Sequence, residues 1–101
     1  MMKEELIKIL LDKNADESDR DDAASWLRDC TDNETLEALY KIASDKNDNY
    51  FVQVKVGSVM GEILTKRNTF EQDKHYLIGL TEASYDEAIE YIKSVYPDWI
   101  K

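Results

Sequence analysis

Residues 12–24 read DKNADESDRDDAA and place side-chain oxygens at a calcium-loop spacing, with Asp12, Asn14 and Asp16 at positions 1, 3 and 5. Apolar helical stretches precede and follow the run, as a helix–loop–helix site requires. The remaining positions lack the chemistry. Glu17 stands at position 6, where the sharp turn needs Gly, and Ala23 stands at position 12, where a bidentate Glu closes the shell. No calcium site is expected. One cysteine, Cys30, and one histidine, His75, allow a single conceivable nucleophilic dyad. Cys30 falls on the apolar side of its helix, where a free thiol acts as a small hydrophobe. Without a second His or a Cys pair, zinc would depend almost wholly on carboxylates. There is no glycine-rich phosphate loop, nucleophile elbow or HExxH. Adjacent Asp21 and Asp22 would point about 100° apart on a helix. Gly57 and Gly61, which lead up to Glu62, mark close helix packing rather than a pocket. The expectation is a protein that is not an enzyme and holds no cofactor or metal.

The carboxylates then need another explanation, and their distribution supplies one. The chain has 22 acidic and 13 basic residues, a net charge of −9. Residues 12–37 hold ten acids against Lys13, Arg20 and Arg28, so −7 of that charge falls in 26 residues. Such a field repels nucleic acid and anionic membranes and attracts basic partners. It also serves solubility. One cysteine excludes an internal disulfide framework and suits a reducing cytoplasm. The stretch MMKEELIKILLDKN resembles neither a signal peptide nor a membrane span, because its apolar residues are spaced and interrupted by Glu4 and Glu5. A cytoplasmic location is expected.

Positioning these charges falls to a repeated unit. EELIKILLDKN (4–14) matches EALYKIASDKN (37–47) at a displacement of 33, with seven of eleven positions identical. The register continues: Arg20 falls on Gln53, Ala23 on Val56, Ala24 on Gly57 and Leu27 on Met60. A fixed offset of this size means one supersecondary unit used twice. DKN becomes an inter-helix turn, since Asp and Asn bond their own neighbouring backbone.

Apolar periodicity and caps predict six helices. The first covers about 3–12, with Leu6, Ile9, Leu10 and Ile7 as inward candidates. The second starts after Ser18 or Asp19 and runs to about Cys30, with Ala23, Ala24, Trp26, Leu27 and Cys30 as its stripe. The third is capped near Asp32 or Asn33 and buries Leu36, Leu39, Ile42 and Ala43. The fourth spans about 49–66; YFVQVKV alternates like a strand, but the 33-residue register demands a helix. A short fifth covers about 69–79, from a Thr69–Gln72 capping box to a Gly79 stop. The sixth opens on Ser84 with Glu87 and ends at Pro97. A single domain of residues 1–101 is expected, with units at about 4–36 and 37–68 followed by a C-terminal helix pair over 69–101.

Arg20, Ala23, Ala24 and Leu27 form a basic residue, small residues three and four places on, then Leu. This pattern resembles HEAT-like repeats, in which small residues let helices approach closely. The second copy departs from it at Gln53 and Gly57, and the resemblance covers about residues 4–66. It implies an all-α fold, a small right-handed α-solenoid of antiparallel helix pairs, and a binding surface rather than a chemistry.

Trp26, Tyr85 and Tyr96 read as core aromatics. Tyr40 falls on Ile7 of the first unit, so either can face a groove, while Tyr50 and Phe51 open the fourth helix beside an acidic turn. By size, charge and architecture the chain resembles bacterial immunity proteins, which neutralise a nuclease toxin. That resemblance implies a basic protein partner and inhibition by occlusion, without direct contact to nucleic acid or membrane. Asp16, Glu17, Asp19, Asp21, Asp22, Asp29 and Asp32 would pair with the partner's basic groups, and Tyr40 or Tyr50 would fill an apolar spot. Two other functions suit the same features: a helical-repeat adaptor or regulatory subunit binding a peptide, and an acidic DNA mimic.

Overall fold

The computed structural model describes residues 2–100. Among them it contains six α-helices, three short 3-10 segments and no strand: α1 (Lys3–Leu11), α2 (Glu17–Trp26), α3 (Asn33–Ala43), α4 (Tyr50–Arg67), α5 (Phe70–Asp73) and α6 (Glu82–Val95), with 3-10 turns at Leu27–Asp29, Lys74–Leu77 and Pro97–Trp99. The all-α expectation is met.

Local chemistry sets most boundaries. Asp12 and Asp45 end α1 and start the turn after α3, and each carboxylate accepts the backbone N–H two residues on, at 2.9 Å from Asn14 and from Asn47. The two DKN turns therefore share one cause. Asn49 caps α4 by accepting the Val52 N–H at 3.0 Å, a contact worth about 1 kcal/mol. Asn68 closes α4 in the left-handed conformation, φ 54°.

The strand-like stretch at Tyr50–Val56 is helical throughout. α4 packs against α2, α3 and α6, and a helix covered on several sides is apolar nearly all round. That explains why its sequence shows no clean amphipathic stripe. The β-branched Val52, Val56, Val59 and Ile63 are all buried. With Leu10, Leu27, Leu36, Leu39, Met60 and Ile92 they form one contiguous core, each large side chain gaining about 1.5–3 kcal/mol on burial.

The 33-residue displacement reappears in the hydrogen bonds. Arg20 on α2 donates through Nε to the Leu10 carbonyl at the end of α1 (2.9 Å) and grips Asp48 with both terminal nitrogens (2.8 and 2.9 Å). Its counterpart Gln53 donates through Nε2 to the carbonyls of Ile42 (3.1 Å) and Asp45 (2.6 Å) at the end of α3. The counterpart of Asp48 is Thr81, whose hydroxyl donates to Gln53 Oε1 at 3.3 Å. Thus two departures from the repeat pattern, Gln53 for Arg20 and Thr81 for Asp48, occur as a matched set. Each exchanges a charged partner for a neutral one, so neither leaves an orphan.

Gly57 and Gly61 mark the crossing of α4 with α6. A Cβ on Gly57 would sit 2.8 Å from Ser84 Cα, and one on Gly61 would sit 2.8 Å from the Ala88 carbonyl. Both obstacles are backbone, so the helices themselves would have to part. Gly57→Ala is expected to lose about 1–3 kcal/mol to overpacking, outweighing the 0.5–1 kcal/mol that Ala gains in helix propensity. Thermal melts should show a drop of roughly 4–8 °C per kcal/mol lost, larger for Gly57→Ala than for Gly61→Ala.

Several expectations need correction. α2 starts earlier, at Glu17, and passes into a 3-10 turn before Cys30. The fifth helix is one turn of α-helix followed by one of 3-10, and no capping box opens it, since Thr69 donates its hydroxyl to Asp73 (2.6 Å). α6 is capped by Thr81, not Ser84; its hydroxyl accepts the Ser84 N–H at 3.4 Å. Ser84 is instead buried against α4 and donates to the Gln53 carbonyl. Trp26 and Tyr85 are exposed rather than core, and Tyr96 is half-buried, stacked on Trp99 at 4.3 Å.

Candidate functional site

α2 carries the densest charge because its first turns need polar side chains and its core contacts need only four residues. Arg20, Ala23, Ala24 and, just beyond, Leu27 are buried. Everything else on the helix is free to be acidic. Asp16, Glu17, Asp19 and Asp22 are exposed, and none is ion-paired with a basic side chain among the described residues. Acids in the first turn also match the positive end of the helix dipole.

The expected binding residues divide into distinct settings. Asp19 and Asp22 lie three apart on one strip of α2, which Trp26 extends by four. Together with Leu6, Ile9, Ala15 and Ala23 they line a groove of about 290 Å³ between α1 and α2. Glu17 turns toward the start of α4, where its carboxylate accepts the Asn49 side-chain amide at 3.0 Å. Asp21 faces α4 across from Lys55, 4.0 Å away. Asp16 precedes α2 at its N-cap.

Asp29 and Asp32 sit at the other end of α2 and are neutralised locally. Lys66 lies 2.9 Å from Asp29 and, with a smaller effect from Arg28, holds that carboxyl below its usual range. Asp32 is bound by the Thr35 hydroxyl (2.7 Å) and Lys3 (3.0 Å); burial pulls its carboxyl up, but these contacts prevail and hold it low. Both therefore fasten neighbouring elements. Tyr40 is half-buried on α3, its ring edge-on to Tyr76 at 6.1 Å and its hydroxyl donating to the Ile78 carbonyl. It braces the segment after α5. Tyr50 is exposed and lines a separate open cleft of about 660 Å³ with Lys46, Gln53, Leu80, Glu82 and Asp86.

Sequence reasoning missed Trp26 as a surface group. At 73% exposure it is the most exposed large hydrophobe of the described residues, beside two unpaired carboxylates. The available signal was its own strip of the helix, where Asp19 and Asp22 stand seven and four residues before it.

The other chemical candidates are in ordinary settings. Cys30 is half-buried after the 3-10 turn. His75 is exposed, tilted against Tyr76 at 4.2 Å, with Nδ1 3.0 Å from the Gln72 carbonyl. Among the described residues no group of three or more His, Cys, Asp or Glu side chains is arranged to hold a metal, and no helix is long and apolar enough to cross a membrane. No family model, curated protein or solved structure matches this chain.

Proposed function

We propose that this chain is a cytoplasmic immunity protein, a small right-handed α-solenoid of antiparallel, HEAT-like helix pairs that binds a basic bacterial toxin and covers its working surface. The toxin class that fits is a nuclease, which must present Lys, Arg and His to bind phosphate. One observation carries the proposal: Asp16 at the N-cap of α2 and Glu17, Asp19 and Asp22 on it stand exposed with no cationic partner among the described residues, and an exposed Trp26 ends the helix. Unneutralised carboxylates steer a basic partner, and a protruding indole is the residue type that anchors an interface. The paired packing of α1 on α2 and α3 on α4, with α2 on α4 and α1 on α3, supports the solenoid.

A second reading has its own observation. The open cleft lined by Tyr50, Leu80, Glu82 and Asp86 offers apolar and charged contacts side by side, which suits an adaptor that binds a peptide. The two readings separate in cells. Expressing the reading frame immediately upstream, if it encodes a secreted protein with a basic C-terminal region, is expected to arrest growth, and co-expression of this chain should restore it. Growth arrest that persists despite soluble, co-expressed chain would remove immunity and leave the adaptor.

A further inference from the structure

The flank of α2 that holds Trp26 corresponds to a flank of α4 that is already occupied. At 100° per residue, Val52 and Val59 fall on the side of α4 opposite Gly57 and Gly61. The glycines meet α6, both valines are buried, and Lys55, within about 60° of both valines around α4, faces Asp21 of α2, so α2 packs on this side. At a displacement of 33, Val52 becomes Asp19 and Val59 becomes Trp26. These residues lie on the side of α2 turned away from α4, above a groove floored by Leu6, Ile9, Ala15 and Ala23. α2 thus presents the surface on which α4 receives a helix, and among the described residues no helix covers it.

We propose that this flank docks a basic amphipathic helix of a protein partner, lying beside α2 as α2 lies beside α4. The inference rests on the basic partner proposed above and names the form in which that partner is recognised. Charge complementarity selects the occupant. Where the covered helix has Val52 and Lys55, the bare one has Asp19 and Asp22. Burying those carboxylates under an uncharged helix would leave them without counter-charge. A second copy of this chain brings a further −9 to a face that is already negative. A helix with Lys or Arg three to four residues apart places cations over Asp19 and Asp22 on one side. Its apolar residues enter the groove, and a cationic stem crossing the Trp26 indole adds a cation–π contact.

The test is an NMR titration of isotope-labelled protein with a synthetic Lys/Leu amphipathic helical peptide, and with a Glu/Leu peptide of equal length. The Lys/Leu peptide should shift resonances at Leu6, Ile9, Ala15, Asp19, Ala23 and the Trp26 indole N–H, while the Glu/Leu peptide should not bind. Trp26→Ala and the double variant Asp19→Lys/Asp22→Lys, both at exposed positions, should each weaken binding at least about tenfold with the helical spectrum unchanged. Shifts confined to other surfaces, equal binding of the acidic peptide, or self-association that Trp26→Ala abolishes would overturn the proposal. A Trp26→Ala chain that silences a toxin as well as the native one would overturn the docking site and leave immunity standing. Docking of the basic peptide at this groove without any toxin being silenced would support the site and defeat immunity.

Discussion

Asp48→Ala is expected to lower the unfolding free energy by about 3–5 kcal/mol, the cost of stranding one member of a buried ion pair. The side chains of Arg20 and Asp48 are only 4% and 1% exposed, joined by two hydrogen bonds, and Arg20 also closes the end of α1 at the Leu10 carbonyl. Removing the carboxylate leaves the guanidinium with one carbonyl and no counter-charge. For a domain of this size, with roughly 5–15 kcal/mol in total, that is a large fraction. Urea unfolding should show a lower midpoint with an unchanged slope. Replacing both residues with apolar ones should recover much of the loss, because the desolvation cost then disappears with the charges.

The same pair gives an acid dependence of known sign. Burial pulls the Asp48 carboxyl up, but Arg20 and the Asn49 N–H outweigh it and hold it below the usual carboxylate range. Asp73 behaves alike: burial raises it, and Arg67 (2.9 and 3.1 Å) with the Thr69 hydroxyl prevails. A carboxyl depressed in the folded state contributes its full stability above the unfolded value of about 3.9. That contribution is lost as pH falls through the folded value. Native protein should therefore lose stability steeply below about pH 4, and Asp48→Ala, already weakened at neutral pH, should lose less over the same interval.

The second large effect is kinetic. Replacing Asp16, Glu17, Asp19 and Asp22 together by Lys should slow association with a basic partner by about 10²-fold or more at low salt, as steering reverses into repulsion. The fold should be retained with some loss of stability: all four side chains are exposed and none bridges to a cation among the described residues, but Lys at the start of α2 opposes the helix dipole and Glu17 gives up its contact with Asn49. Raising ionic strength should narrow the difference, because surface charges are screened beyond a Debye length of about 8 Å at physiological salt. Reversing Asp29 and Asp32 should affect association less, since Lys66 and Lys3 already neutralise them. That contrast distinguishes a specific face from net charge alone.

Much of the architecture was legible because the duplication overrode local propensity. Residues 50–56 alternate like a strand, and the register with the second helix, together with the helical period of Met60, Ile63 and Leu64, identified α4 correctly. What stayed hidden depended on neighbours. Helical periodicity says that Trp26 shares a side with Asp19, but not whether another helix covers that side. Ser84 carries a capping signature, yet it was required at the close crossing with Gly57, and Thr81 took the cap. Arg20 entered the sequence reading as the basic residue of the HEAT-like pattern and as one positive charge in an acidic run. Nothing local to it indicates Asp48, 28 residues away, as its partner. The acidic residues were correctly seen as clustered in sequence, but sequence does not reveal that Asp29 and Asp32 are tied to lysines of distant elements.

The most direct measurement is a titration of nuclease activity. Where the reading frame immediately upstream encodes a secreted protein with a basic C-terminal region, that region is assayed on DNA and RNA while purified chain is added in increments. Loss of activity complete at equimolar chain, and shifted to higher ratios by the fourfold Lys variant, is the result expected. Undiminished cleavage in the presence of excess folded chain would contradict the claim that this acidic helix is there to cover a basic enzyme.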